Sequence, residues 1–237
     1  MEQKPIQEFK LKIIEIIDET HDTKTFRVER PDCDFFPGQF FMVRFPDDEK
    51  LKRAYSVASS PANKDHLDIT MNLVGEFTSK LWKAKVGDFL FFKGPYGKFY
   101  FSEDMKQNLV LIGGGLGITP LRGIVKYCQD KNLSNKINLL YSVKTPKDIA
   151  YNDEIEEFNK DNFGFDSIIT VTRPEENDGW NKRTGRIDEE LLKQNISDLG
   201  NSLFFICGSL DFSKTIIKML EDLGAKEEQI KTDIWGE

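Results

Sequence analysis

The stretch Leu111-Ile112-Gly113-Gly114-Gly115-Leu116-Gly117-Ile118-Thr119-Pro120 joins an apolar run to a helix-like segment through a cluster of glycines. The start of a helix leaves backbone N–H groups unpaired, and residues without side chains let a phosphate approach them closely. The chemistry that suits such a turn is the binding of a dinucleotide pyrophosphate. It departs from the usual fingerprint, because Pro120 stands at the third glycine position and the next apolar run, Ile137 to Val143, is followed by Lys144 rather than an acid. Taken alone, the turn also fits a tight strand-to-helix connection.

Arg53-Ala54-Tyr55-Ser56 offers a second set of groups. On a strand, alternation turns Arg53 and Tyr55 to one face, where a guanidinium can grip a diphosphate and a phenol ring can pack on a flat heterocycle or sugar. An edge-strand arginine in an ion pair beside a core tyrosine is the plainer reading of the same four residues. Gly75-Glu76-Phe77-Thr78-Ser79 sets a glycine and two hydroxyls ahead of Leu81-Trp82, as either a second anion site or a helix cap. Gly94-Pro95-Tyr96-Gly97-Lys98-Phe99 reads as a chain reversal.

Two textures position these residues. Before about Met105 come short runs rich in β-branched and aromatic residues, at 9–17, 23–28, 39–45, 53–58, 67–74 and 88–93, punctuated by turn residues such as Pro37-Gly38 and Gly94-Pro95. This half reads as an antiparallel β-barrel or sandwich over residues 1–104. Over 105–237, apolar runs at 109–112, 137–143, 167–171 and 203–206 alternate with helical stretches at 121–130, 153–160, 188–194 and 212–223. That alternation predicts an α/β domain with a mostly parallel sheet.

Composition narrows the partners. The 237 residues carry a net charge of −7, which argues against nucleic acid, since phosphate backbones are bound through concentrated Lys and Arg. Cys33, Cys128 and Cys207 are too few and too dispersed for a disulfide framework, a metal site or an iron–sulfur cluster. No apolar run is long enough to cross a bilayer and no signal peptide is evident, so a cytoplasmic location is expected. Lys80, Lys83 and Lys85 form a local basic cluster that reads as a solvated face, or as a contact for an acidic protein.

The order of the motifs is more specific than any one of them. Arg53-x-Tyr55-Ser56, Gly75-x-x-Thr78-x-x-Leu81, Gly94-Pro95-x-Gly97-x-Phe99, Gly114-Gly115-x-Gly117-x-x-Pro120 and Cys207-Gly208 together resemble the ferredoxin–NADP reductase superfamily over essentially the whole chain. Tyr151 and Trp180 look like further landmarks of that family. The resemblance implies a flavin-binding β-barrel followed by a nicotinamide-binding α/β domain. It assigns Arg53 to the flavin pyrophosphate, Tyr55 to the isoalloxazine and ribityl region, and Ser56 to flavin N5. Asn72, Gly75, Thr78 and Ser79 complete the flavin set. A pyrophosphate grip favours FAD over FMN.

In the second domain the resemblance assigns Gly114, Gly115, Gly117, Thr119 and Pro120 to the nicotinamide dinucleotide, with Cys207 and Gly208 beside its reacting ring. Leu116 stands where relatives often carry a hydroxyl, Ser209 where Pro is frequent, and Phe212 where Met is common. Asp233 and Trp235 resemble the family ending of Glu followed two residues later by an aromatic. Asp233 is one methylene shorter, which puts its reach to the reaction centre in doubt, and Trp235 either covers the flavin or packs on the last helix. Ser56, Cys207 and Asp233 are the expected groups around the reaction centre. Lys144, Thr172 and Arg173 lie where the adenine ribose is expected, and their charge favours NADPH over NADH.

The implied activity is an NAD(P)H-dependent flavoprotein oxidoreductase. Its acceptor would be a separate ferredoxin, flavodoxin, oxygenase component or small molecule. An electron-transfer subunit of a larger redox enzyme and a non-catalytic flavin-binding sensor or scaffold are the alternatives.

Overall fold

Alternation of apolar and polar residues shapes the first half of the chain. Phe41, Val43 and Phe45 are buried while Phe40, Met42 and Arg44 between them are half-exposed, the period-two pattern of a strand with one face on a core. In the computed structural model, which describes residues 5–161 and 163–235, six such strands form one antiparallel sheet. They are β1 (Gln7–Asp18), β2 (Thr23–Glu29), β3 (Phe40–Phe45), β4 (Asp48–Ser56), β5 (His66–Asn72) and β6 (Phe89–Tyr96), in the order β4-β3-β6-β1-β2-β5.

The sheet curls on itself. Val57, directly after β4 at one edge, makes an antiparallel bridge to Ile69 of β5 at the other. A core of Phe26, Phe41, Phe92, Leu67, Met71 and their neighbours fills the interior. Helix α1 (Gly75–Leu81) adds Phe77 and Leu81 to it.

The second half alternates strand and helix. Strands β7 (Asn108–Gly114), β8 (Ile137–Val143), β9 (Phe165–Val171), β10 (Ser202–Ser209) and β11 (Ile230–Trp235) form a five-stranded sheet in the order β11-β10-β7-β8-β9, with every pairing parallel. The connecting helices are α2 (Ile118–Asp130), α3 (Asn152–Lys160), α4 (Glu189–Asn195) and α5 (Leu210–Asp222). Because β8 and β9 extend to one side of β7 and β10 and β11 to the other, the strand order reverses between β7 and β10. Parallel sheets bind ligands at such a point, beyond the carboxyl ends of the strands.

By packing, the chain divides into two units. One holds residues up to Ser102 together with Arg122–Lys131, and the other holds Glu103–Leu121 and the rest from Asn132. Segment 122–131 is therefore part of the barrel unit's own structure. A Cβ on Gly123 would lie 2.8 Å from the Val57 carbonyl oxygen, so only glycine permits that approach. Arg122 Nη1 donates to the Ala58 carbonyl at 2.9 Å and lies 3.5 Å from Asp68 Oδ2. Asp68 is fully buried, and it also accepts from Arg27 Nε at 2.9 Å and Arg27 Nη2 at 3.2 Å. Burial opposes ionisation of this carboxyl, but contacts from His66 and Arg27 and the charge of Arg122 outweigh it and hold its pKa down at about 2.

Three local features differ from the sequence expectations. Strand β4 begins at Asp48, five residues before Arg53, as a long polar hairpin arm whose composition hides its pairing. Gly94-Pro95 does not end β6 but lies within it, where a Cβ on Gly94 would meet the Phe41 ring at 2.6 Å. The final strand β11 has no counterpart among the apolar runs, because Ile230-Lys231-Thr232-Asp233-Ile234-Trp235 is polar at the alternate positions of a sheet edge.

Candidate cofactor site

The barrel unit brings the first set of residues together at the end of β4. Arg53 pairs with Val43 and Tyr55 with Phe41, so both side chains project from the face that carries those core residues, as alternation requires. Arg53 is exposed and its Nη1 donates to the Lys52 carbonyl at 2.9 Å, which fixes the guanidinium along the strand. The Tyr55 ring lies 5.6 Å from that of Phe77, tilted by 40°. Burial pushes its phenol well above the ordinary value, so it stays neutral and hydrogen-bond competent. Ser56 closes the strand opposite Phe40.

Asn72 ends β5, and α1 follows directly at Gly75. Gly75 has φ +78, and no atom lies within 4 Å of where its Cβ would be, so the turn is both left-handed and open. Thr78 is buried, and its hydroxyl is committed to the turn itself, accepting from the Val74 N–H at 2.8 Å and donating to the Val74 carbonyl at 2.6 Å. Ser79 is exposed beside it. Of the basic cluster, Lys80 is paired with Asp47 at 2.9 Å and lies over the Phe45 ring.

The α/β unit assembles the second set. β7 runs into a single 3₁₀ turn, Gly115–Gly117, from which α2 starts at Ile118. Gly115 has φ +54 with nothing within 4 Å of its Cβ position, whereas a Cβ on Gly117 would fall 1.9 Å from the Cys207 carbonyl oxygen. The two glycines thus have different causes: one faces open space and the other is pressed against β10. Pro120 falls in the first turn of α2, where a missing N–H costs nothing. Thr119 is 2% exposed and its Oγ1 has no hydrogen-bond partner. A buried orphan hydroxyl beside an open turn is the mark of a missing ligand atom.

Cys207 is fully buried on β10, paired with Gly113 on one side and Asp233 on the other. Its Sγ donates to Asp233 Oδ2 at 3.9 Å, so the shorter acid does reach the sulfur. Gly208 follows, one residue before the cap of α5. Trp235 ends β11 opposite Ser209, and its side chain lies outside the described residues. At the far side of the sheet Thr172 donates through both its N–H and Oγ1 to the Val143 carbonyl, at 2.9 and 3.1 Å. The Arg173 N–H donates to the Lys144 carbonyl at 2.7 Å, which sets two exposed cations side by side.

Tyr151 caps α3 in the left-handed conformation at φ 59, and Trp180 Nε1 donates to the Arg183 carbonyl at 2.8 Å. Asp68 and Arg122 are absent from the residues that the sequence motifs single out. Their signal is a lone charge within an apolar run, Leu67-Asp68-Ile69 and Leu121-Arg122-Gly123-Ile124. Among the described residues there is no cluster of side chains fit to hold a metal ion, and no helix is long and apolar enough to cross a membrane.

The open glycines, the exposed Arg53 and the orphan Thr119 hydroxyl fit a flavin diphosphate in one unit and a nicotinamide dinucleotide in the other. Comparison with known proteins agrees. Residues 10–101 match the oxidoreductase FAD-binding domain and residues 111–218 the oxidoreductase NAD-binding domain. The chain belongs to the ferredoxin–NADP reductase superfamily.

Two curated relatives in this superfamily are each one component of a Na(+)-translocating NADH-quinone reductase, in Marinomonas sp. and in Klebsiella pneumoniae. The first is 29% identical over 92% of this chain and 57% of that protein, the second 30% identical over 79% and 50%. The chain thus spans about half the length of the curated relatives it matches. Among solved structures, the ferredoxin reductase of carbazole 1,9a-dioxygenase superposes with TM-score 0.85 at 24% identity, over 98% of this chain and 70% of that one. A ferredoxin–NADP+ reductase from Neisseria gonorrhoeae, with bound FAD and NADP, gives TM-score 0.81 at 24% identity over 96% and 98%. These likenesses carry the fold: a curled antiparallel sheet followed by a parallel α/β domain. The FAD- and NAD-binding domains make the chain an FAD- and NAD(P)-binding oxidoreductase.

Proposed function

We propose that this chain is a reductase that takes electrons from NAD(P)H into FAD and delivers them to a separate acceptor. The observation that carries the reading is the Thr119 hydroxyl, buried and unpartnered beside the open left-handed turn at Gly115. When bound, FAD supplies the acceptor for a hydride and the means to pass electrons onward. The residues around it bind and orient. Arg53 holds the flavin diphosphate, aided by backbone N–H groups at the open Gly75 turn, which Thr78 keeps in shape from beneath, and by Ser79. Tyr55 supports the isoalloxazine and ribityl region from the β4 face, with Asn72 alongside, and Ser56 offers its hydroxyl to N5.

In the other unit Gly115 and Thr119 receive the dinucleotide, while Gly114, Gly117, Pro120 and Gly208 shape the turn. Cys207 places the nicotinamide ring, with its thiol oriented by Asp233, whose carboxylate also serves proton movement. Lys144 and Arg173 attract a 2′-phosphate, with Thr172 fixing the strand end between them, and this favours NADPH. Arg173 matches a phosphate bidentately where Lys144 supplies a point charge.

The acceptor is a ferredoxin, a flavodoxin, an oxygenase component or a small molecule met in the cytoplasm. A second reading, an electron-transfer subunit of a larger complex, is favoured by the relatives named as parts of NADH-quinone reductases. The test is anaerobic titration of FAD-loaded protein with NADH and with NADPH. Bleaching of the flavin absorbance is expected, and a flavin-loaded protein inert to both sinks the proposal. Copurification of a stoichiometric partner selects the second reading.

A further inference from the structure

The end of β10 and the end of β7 share a neighbour that explains two glycines without any ligand. A Cβ on Gly208 would lie 2.7 Å from Phe212 Cδ1, and a Cβ on Gly114 would lie 3.2–3.3 Å from Cγ and both Cδ atoms of the same ring. Gly113 pairs with Cys207, so Gly114 and Gly208 are the next residues along two adjacent strands. The Phe212 ring covers both strand ends from the first turn of α5. It is half-buried, with one side packed on the core of this unit. These strand ends are where the strand order reverses, the place in a parallel sheet at which a ligand enters.

We infer that Phe212 is a positioning residue of the dinucleotide crevice: its ring is the apolar wall against which the nicotinamide end of NAD(P)H comes to rest. The inference rests on the proposed binding of NAD(P)H in this unit. Three glycines of the crevice then divide by cause. Gly114 and Gly208 admit the ring, and Gly115, with nothing within 4 Å, admits the ligand. A phenyl face is flat and rigid, so it sets how deep a planar heterocycle can travel past Cys207 in a way that a flexible side chain does not.

The test is a cycle of Gly208→Ala, Phe212→Ala and the double variant in FAD-loaded protein. Phe212→Ala should raise KM for NADH and NADPH alike by about five- to tenfold, the size of one lost aromatic contact, with kcat within about twofold. Inhibition by ADP-ribose, which lacks the nicotinamide, should be unchanged. A loss shared equally by ADP-ribose would show a general packing defect and overturn the assignment. Gly208→Ala should lower the melting temperature in the wild-type background and lose that effect in the Phe212→Ala background, where the methyl has room. Additive losses would show that Gly208 answers to something other than the ring. If Phe212→Ala is poorly folded, Phe212→Leu serves for the kinetics, with a smaller rise in KM expected and an unchanged KM refuting the role. Wild-type protein that oxidises neither nicotinamide would defeat the proposed function, whereas active wild type with a KM indifferent to residue 212 defeats this inference alone.

Discussion

Replacing Asp68 with alanine removes the buried carboxylate on which Arg27 and Arg122 converge. Breaking a buried ion pair from one side costs about 3–5 kcal/mol, because the remaining charge is stranded. The lower end applies here. Arg27 keeps Glu15 at 2.6 Å, and Arg122 keeps the Ala58 carbonyl at 2.9 Å, although its side chain is only 10% exposed and cannot reach water freely. About 3 kcal/mol, at roughly 2–4 °C per kcal/mol for a chain of this size, predicts a fall in Tm of about 6–12 °C at pH 7. Asp68→Asn should lose most of the same stability while keeping the shape.

The pH dependence gives an independent check on the cause. The Asp68 pKa is lowered from 3.8 to about 2, so the folded state favours the ionised form. Its stabilisation, about 2 kcal/mol, is fully present above roughly pH 4 and is lost as pH falls through about 2. Circular-dichroism melts of wild type and Asp68→Asn should therefore converge between about pH 4 and pH 2. A Tm difference under about 2 °C at pH 7, or a gap that does not narrow on acidification, refutes the reasoning.

Arg53→Ala should leave the strand folded and weaken FAD binding roughly ten- to over a hundredfold, the value of a charged hydrogen bond; full flavin retention after dilution and gel filtration would count against its role. Gly117→Ala forces a methyl to within 1.9 Å of the Cys207 carbonyl oxygen, so the turn must shift. KM for both nicotinamides should rise and stability drop by about 1–3 kcal/mol, measured by steady-state kinetics and urea melts, with flavin binding preserved. Arg173→Ala should reduce kcat/KM for NADPH more than for NADH, and an equal loss for both removes it as the discriminator.

What the sequence disclosed follows from how local each cause is. The strand texture before Met105 and the alternation after it rest on the pattern of neighbouring side chains, so the antiparallel and parallel halves are both legible. The shared face of Arg53 and Tyr55 needs only the period of a strand. The polar arm of β4 from Asp48 is not legible, since its pairing depends on β3 and not on its own apolar content. Neither are the different reasons for Gly114, Gly115 and Gly117, because whether a glycine faces a ring, open space or a carbonyl is decided by residues such as Phe212 and Cys207 almost a hundred positions away. Side-chain length alone leaves the reach of Asp233 to Cys207 in doubt, and register along β10 and β11 supplies what the side chain lacks.

Segment 122–131 has a consequence for how reductases of this kind can be recombined. A fragment that stops at Ser102 contains every strand of the barrel but not Arg122, Gly123 or Tyr127, whose ring lies 6.5 Å from that of Phe101. Such a fragment would expose the Val57 and Ala58 carbonyls and leave Asp68 without one of its cations. A hybrid built by a single crossover between the two motif sets inherits its Asp68 from one parent and its Arg122 from the other. Fusions that succeed must carry both halves of that match, so inheritance at this junction goes by pairs of distant residues rather than by contiguous blocks of chain.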